Sequence, residues 1–372
     1  MPSGKHILTS IFAESPASPR PIRVVIADDS RFMRKALRLL LQDDPEIEVV
    51  GVAKDGYECL GLVESLRPDV LTLDLNMPLM NGVAVLRILN REFPLPVIMI
   101  SSLTVEGAET TLEALELGAI DYIAKQLTPK SLDIDLFKTE LVGKVKWAVQ
   151  KYRDQGGLAT STGGLKAEGT PLSRTRILRQ RGKTDSPAEI VGIGASTGGP
   201  VALQKIIPML PLGLPVPVVV AQHIPLQFSE SLVHRLSSKS QLPVKLASQD
   251  DRLVPGTVLV VPGGTHLEVA SRQAVRLVPN DPGNLACPSV NRLLSSMADS
   301  FGPGTLALIL TGMGNDGLEG VRQVQDKGGQ VFVQDESTCM AFGMPKSVVD
   351  QGLADREVPL DLIATEIVRR LR

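Results

Sequence analysis

The chain has little of what marks a disulfide scaffold, a metal–thiolate protein, a membrane protein or a nucleic-acid binder. Its 372 residues include three cysteines, Cys59, Cys287 and Cys339, far apart and in no CxxC pair. That argues against a disulfide framework or a zinc site and fits a reducing, cytoplasmic setting. No apolar run approaches the roughly eighteen residues of a membrane-spanning helix, so no direct membrane insertion is expected. The formal net charge is −2, so there is no basic excess to draw the protein to nucleic acid or anionic lipid. With only four histidines, the candidates for acid–base chemistry are few. The opening "MPSGKHILTSIFAESPASPRP" holds one short apolar run before Glu14 and a set of prolines. Residues 1–20 read as a disordered tail rather than a signal peptide.

What the chain does have is apolar residues, at 43%, enough to build sizeable cores in two domains. Composition divides it accordingly. Over residues 21–153, strand-like runs alternate with amphipathic helical patterns. Residues 154–187, containing "QGGLATSTGGLKAEGTPLSRTRILRQRGKTDS", are rich in Gly, Ser, Thr and basic residues and read as a linker. The stretch "SRTRILRQR" within it could instead form a short helix on a neighbouring surface. Alternation resumes over residues 188–372, with no fixed-period repeat, and predicts a second doubly wound parallel-sheet α/β domain joined to the first by the linker.

Five apolar runs stand out in the first half: "IRVVIAD", "EVVGVA", "DVLTLD", "PVIMIS" and "DYIAK". They are nearly continuous in apolar residues, as strands buried on both faces require. Between the first two, Met33, Ala36, Leu37 and Leu40 fall at helical spacing. The alternation predicts a doubly wound parallel sheet, whose ligands bind beyond the carboxyl ends of its strands. Those ends carry Asp28-Asp29-Ser30, Asp74, Ser101-Ser102 and Lys125. Carboxylates gathered at one edge repel one another unless a cation offsets them, and an oxygen-only donor set suits Mg²⁺. A lysine and a hydroxyl beside them can hold phosphoryl oxygens. Alone, Asp28 or Asp29 would be read as a cap of the following helix. The joint placement favours a phosphoryl site.

"IADDSRFMRKAL", "TLDLNMPLMNG", "VIMISS" and "DYIAK" resemble the receiver domain of bacterial response regulators over about residues 22–147. The resemblance implies that Asp74 accepts a phosphoryl group from a histidine kinase. It implies Mg²⁺ held by Asp29, Asp74 and the Asn76 carbonyl, with Asp28 alongside. It implies that Ser101 and Lys125 read the phosphate and that Tyr122 changes position on switching. Gln126 stands where receivers usually carry proline, which affects the neighbouring loop.

In the second half, "VGIGASTGGP" lacks the third glycine of a dinucleotide fingerprint and the lysine of a phosphate-binding loop. Gly194-Ala195-Ser196-Thr197-Gly198 does fit G-x-S-x-G, preceded by the apolar run "EIVGIGA" and followed by a helix opened at Pro200. The plain reading is a glycine turn. The functional one is a nucleophile elbow that exposes Ser196 Oγ above a strand end, with backbone N–H groups as oxyanion donors. A serine nucleophile needs a base. His6 lies in the tail and His234 inside a helical pattern. His223 and His266 each follow an apolar run, and both stay as candidates. Chain order favours His223, because its strand follows the helix after Ser196 and should lie beside the serine's strand. Asp316, in "TLALILTGMGNDG", follows another buried run; it is either a loop or cap residue, or the acid that orients the base.

"GIGASTGGP", "AQHIPLQFSESLVHRL", "VPGTVLVVPGGTHL", "ILTGMGNDGLEG" and "TCMAFGMPKSVV" resemble the catalytic domain of the CheB chemotaxis protein-glutamate methylesterases. The receiver–linker–esterase order fits as well. The resemblance implies Ser196 as nucleophile, His223 as base and Asp316 as orienting acid. Thr197 and Met313 would line the site, and no metal is needed in this half. The implied substrates are methylated glutamates of methyl-accepting chemotaxis receptors, with deamidation of receptor glutamines as a second reaction. Asn291 departs from the acidic residue expected in "CPSVNRLLSSMA". A receiver-linked transcription factor would need a basic recognition helix, which the neutral second half does not offer. A phosphate sink with a degenerate esterase half is the remaining alternative.

Overall fold

The computed structural model describes residues 20–125, 134–154, 174–179, 187–280 and 287–371. Residues 1–19 of the tail, most of the linker and Gln126 lie outside the described residues. In the first half, β1 (Ile22–Ala27), β2 (Ile47–Ala53), β3 (Val70–Asp74), β4 (Val97–Ser101) and β5 (Asp121–Ala124) form a parallel sheet in the order β2-β1-β3-β4-β5. Helices α1 (Arg31–Gln42), α2 (Gly56–Leu66), α3 (Gly82–Glu92), α4 (Val105–Glu116) and α5 (Ile134–Asp154) cover its two faces. Every residue of β3, β4 and β5 is buried, which explains their uninterrupted apolar character. The helices start where side chains can satisfy the first backbone N–H groups: Ser30, Asp55, Asn81 and Thr104 each cap the helix that follows. The cap of α1 is thus Ser30, and the two aspartates before it are left for other work. Met33, Leu37 and Leu41 form the buried stripe of that helix.

The second half contains an eight-stranded sheet in the order β6-β15-β14-β13-β7-β8-β10-β9. Its strands are β6 (Arg176–Ile177), β7 (Ile190–Ala195), β8 (Val218–Gln222), β9 (Val244–Leu246), β10 (Val258–Val260), β13 (Thr305–Ile309), β14 (Gln330–Gln334) and β15 (Arg356–Val358). All pairings are parallel except that of β6 with β15. The helices are α6 (Gly199–Ile206), α7 (Leu226–Lys239), α8 (Val290–Phe301), α9 (Leu318–Asp326), α10 (Gly343–Asp350) and α11 (Ile363–Arg370). The α/β expectation holds, with two departures from a purely doubly wound pattern. An antiparallel hairpin, β11 (Thr265–Ser271) with β12 (Ala274–Pro279), packs on α8 outside the main sheet. In addition, Arg176 and Ile177 of the "SRTRILRQR" stretch are not helical. They add an antiparallel edge strand, with Arg176 paired to Glu357 at 3.2 Å. An edge of unpaired backbone groups captures an extended segment more readily than a nine-residue basic stretch nucleates a helix.

The two halves pack together. Tyr122 at the end of the first sheet stacks on Phe228 of α7, with centroids 4.6 Å apart and planes 9° from parallel. Both rings belong to a single apolar cluster that takes in one face of each sheet. Such a stack adds about 1 kcal/mol beyond the buried area.

Candidate active site and phosphoryl pocket

At the carboxyl edge of the first sheet, Asp28, Asp29 and Asp74 each bring a carboxylate oxygen within 4.8 Å of the others. Lys125 Nζ lies 3.0 Å from Asp28 Oδ2 and 2.9 Å from Asp74 Oδ1. Asp28 is 0% and Asp74 2% exposed, whereas Asp29 faces solvent. Burial, with the charge of Asp28 added, pushes the Asp74 carboxyl up to about 6 against the pull of Lys125. Asp74 Oδ2 is buried and has no hydrogen-bond partner among the described residues. An orphaned acceptor in an all-oxygen cluster fits a hard divalent cation such as Mg²⁺, or an incoming phosphoryl group. The Asn76 N–H reaches Asp74 Oδ1 at 3.4 Å, which sets the Asn76 backbone at the rim of the pocket. Ser101 is buried, and its hydroxyl accepts from Thr111 at 2.7 Å and donates to the Gly107 carbonyl at 3.3 Å. Ser101 and Tyr122 are thus committed to α4 and to α7, not to the acidic cluster.

The second site stands at the carboxyl edge of the other sheet. From the neighbouring strands β7 and β13 the chain winds out in opposite directions, so the crevice between them is the topological switch point, where open α/β sheets bind ligands. Ser196 follows β7, His223 follows β8 and Asp316 lies in the turn after β13. Parallel pairing of β13, β7 and β8 brings the three turns together. His223 Nε2 lies 2.8 Å from Asp316 Oδ2, and the His223 N–H donates to the Ala195 carbonyl at 3.0 Å. Gly198, at φ 76, takes the left-handed conformation that turns the chain from the serine into α6. A Cβ on Gly312 would come within 2.8 Å of Ser196 Cβ, so the β13 turn presses directly on the serine.

Asp316 sits at the amino end of α8. Its Oδ2 accepts from Val290 N at 2.7 Å, and its Oδ1 from Asn291 N at 3.1 Å, Gly317 N at 3.0 Å and the Ser289 hydroxyl at 3.3 Å. Burial works to raise its pKa, but the bond and charge of His223 and these backbone donors outweigh it and hold the carboxyl below its ordinary value. An ionised carboxylate can only accept, so His223 carries its hydrogen on Nε2 and leaves Nδ1 as the basic nitrogen.

His266 is placed otherwise. It is fully buried in β11, its Nδ1 accepting from Ser289 N at 3.0 Å and its Nε2 facing Asn280 Oδ1 at 3.0 Å. It supports the start of α8 from behind. His234 lies exposed on α7. Asn291 Oδ1 accepts from Gly317 N at 3.0 Å and Gly320 N at 2.9 Å, a clamp on the Asp316 turn that puts no second charge beside that acid.

The first half covers this crevice. Thr197, next to Ser196, is buried and donates its hydroxyl to Asp121 Oδ2 at 2.9 Å. The same Asp121 oxygen faces Lys144 Nζ of α5 at 3.1 Å. Burial disfavours the Lys144 charge, but Asp121 and Glu140 more than compensate and raise its pKa. A Cβ on Gly143 of α5 would stand 3.6 Å from Met313 Cε. Arg235 and Lys239 of α7 pair with Glu116 of α4 at 3.1 and 2.9 Å, and Lys151 donates to the Cys339 carbonyl at 2.8 Å.

The CheB methylesterase family profile matches residues 191–367, and the response regulator receiver domain profile matches residues 24–136. A protein-glutamate methylesterase/protein-glutamine glutaminase of Nitratidesulfovibrio vulgaris is 42% identical over 94% of this chain and 99% of its own. The chain belongs to the CheB methylesterase family. A relative of the same name from Pyrococcus abyssi is 40% identical over 95% of each chain. The crystal structure of the Thermotoga maritima CheB methylesterase catalytic domain is 41% identical, with a TM-score of 0.47 over 50% of this chain and 99% of that one.

Sequence reasoning passed over three residues that shape the crevice. Gln222, one position before His223, spans two of the turns. The Thr311 hydroxyl donates to the Thr197 carbonyl at 2.9 Å and accepts from Ala341 N at 2.8 Å, tying the serine turn to the turn before α10. Asp121 reaches across from the other half. Only Gln222 left a signal, as a polar residue closing an apolar run next to a candidate base.

Proposed function

We propose that this chain is a phosphorylation-activated serine esterase that hydrolyses glutamate γ-methyl esters on the cytoplasmic helices of chemotaxis receptors. Its second reaction is deamidation of receptor glutamines. The observation that carries the reading is the convergence of Ser196, His223 and Asp316 from three adjacent parallel strands, with the His223–Asp316 bond at 2.8 Å. Ser196 Oγ attacks the γ-carbonyl while His223 Nδ1 takes its proton. The oxyanion forms beside the Thr197 and Met313 N–H groups, for which no acceptor is found among the described residues. The C–O bond to the methoxy group then breaks, the imidazolium returns the proton, and methanol leaves. Water, deprotonated by His223, attacks the acyl-enzyme, freeing Ser196 and the glutamate. With a glutamine the leaving group is ammonia.

Asp74 is the phosphoryl acceptor, supplied by a histidine kinase. Asp28, Asp29, Asp74 and the Asn76 carbonyl would hold Mg²⁺, which when bound offsets the repulsion between this cluster and an incoming phosphate. Lys125 pairs with the phosphate and Ser101 turns toward it. In the unphosphorylated chain α5 and Asp121 exclude a receptor helix from the crevice, and rearrangement around Ser101 and Tyr122 loosens that contact. Receptor membranes carrying radiolabelled methyl esters test the reading. The chain with acetyl phosphate and Mg²⁺ should release methanol, and Ser196→Ala should not. Equal release by the two proteins would refute it.

A further inference from the structure

The Gln222 side chain is 1% exposed and sits between the serine and histidine turns. Its Nε2 donates to the Ser196 carbonyl at 2.9 Å and to the His223 carbonyl at 3.0 Å. The opposite amide orientation would set Oε1 against two carbonyl oxygens, so these acceptors fix which end is nitrogen. Oε1 is buried and has no hydrogen-bond partner among the described residues. A Cβ at Gly199 would run into that oxygen, so the first residue of α6 must be glycine for the amide to fit. The site thus keeps a buried amide at the cost of one unsatisfied acceptor, and the two bonds to Nε2 are what it gains.

The Ser196 carbonyl also accepts from Gly199 N at 2.8 Å, so both of its lone pairs are engaged. A carbonyl held by two donors cannot swing. In a trans peptide the N–H lies on the opposite side from the carbonyl, so holding the Ser196 oxygen against Gln222 turns the Thr197 N–H away from it. We infer that Gln222 is a positioning residue, which locks the Ser196–Thr197 peptide so that the Thr197 N–H faces the developing oxyanion. The inference rests on the esterase reading. Gln222 touches no reacting atom and acts through the peptide it holds. Its second bond, to the His223 carbonyl, couples the same amide to the base's backbone and leaves the His223 ring to Asp316.

The test uses the full chain, activated with acetyl phosphate and Mg²⁺, on radiolabelled receptor membranes. Gln222→Met keeps the volume and removes both donors. Its kcat should fall roughly ten- to a hundredfold, by analogy with loss of one oxyanion donor. KM should stay within about twofold, because ground-state binding does not use the oxyanion donor. The midpoint of the acid limb of kcat should not move, because the His223–Asp316 pair is untouched. Should Gln222→Met fail to fold, Gln222→Leu is measured instead; it too removes both donors, adds no charge beside His223, and should show the same kcat-confined loss. A kcat within threefold of the parent, a loss confined to KM, or a shifted midpoint overturns the inference while wild-type release, absent in Ser196→Ala, still upholds the esterase reading. No methanol release from the wild type overturns both.

Discussion

Each half of the molecule places an aspartate at the carboxyl edge of a parallel sheet, and the two environments push those carboxyls in opposite directions. Asp74 is buried beside Asp28, and burial lifts it to about 6. Asp316 is also enclosed, yet the amino end of α8 and the His223 bond hold it below its ordinary value. The difference lies first in the bond and charge of His223 and then in the backbone. Besides His223, four donors aim at Asp316, three of them main-chain N–H groups, whereas Asp74 has a lysine, one long bond from Asn76 N and an oxygen with no partner among the described residues. On the proposed roles, the carboxylate that would stay an anion through every turnover is held by a fixed partner and by dipoles that do not move, and the one that would be modified and released is left poised, its charge offset by groups that can rearrange.

The largest effects come from removing the chemistry of either site. Ser196→Ala and His223→Ala should each lower methanol release on the order of 10³-fold or more, since triad members act as a unit. Asp316→Asn should cost less, because the acid orients rather than reacts. His266→Ala should fall well short of both, as its ring supports Ser289 and not the serine. Steady-state rates of the four variants decide this, and an inactivating His266→Ala would mean the base is misassigned. On the other side, Asp74→Asn should abolish labelling by acetyl phosphate, and EDTA should do the same to the parent. Labelling that survives EDTA would remove the argument from carboxylate repulsion.

A smaller effect is expected where the halves meet. Asp121→Asn keeps the shape but gives up the charge that Thr197 and Lys144 share. Basal esterase activity without phosphorylation should rise about three- to tenfold, as loss of a buried charge-assisted bond would allow. Deleting residues 1–155 should raise it at least as far and make acetyl phosphate irrelevant. A slower isolated catalytic half would show that the first half activates rather than covers.

The last effect is on stability, where the two carboxyls should behave oppositely. A carboxyl raised in the folded state binds its proton more tightly there than in the unfolded chain. Its penalty is therefore absent below the unfolded value near 4 and complete once pH exceeds about 6. In EDTA, Asp74→Asn should stabilise the receiver by about 1–2 kcal/mol at pH 7.5, and the gain should vanish near pH 4. Asp316→Asn should have the opposite sign at neutral pH, because that carboxyl is depressed. Thermal melts at the two pH values separate the cases.

Much of this was legible in the sequence. The five apolar runs of the first half became five strands, and the acids at their ends met. His223 could be placed beside Ser196 because a right-handed crossover puts consecutive parallel strands side by side. What was hidden depended on contacts distant in the chain. The β11–β12 hairpin that draws His266 into the core has no strand-order rule to announce it. Arg176 and Ile177 became a strand because β15 offered an edge, a fact about β15 rather than about the linker. Asp121 opens a strand in an ordinary way, and its role follows from a threonine 76 residues later.

That edge strand also sets a length scale. By fastening the connector to β15, β6 brings the effective anchor point closer to the end of α5 than the full run from Asp154 to Ile190 would place it. A shorter tether raises the local concentration of one half around the other, into the millimolar range for short flexible connections. If phosphorylation displaces the covering half as proposed, that half would remain a near neighbour and recapture its seat once the phosphoryl group is lost. Each activation would then last about as long as the aspartyl phosphate, with the connector as the return spring of a timer.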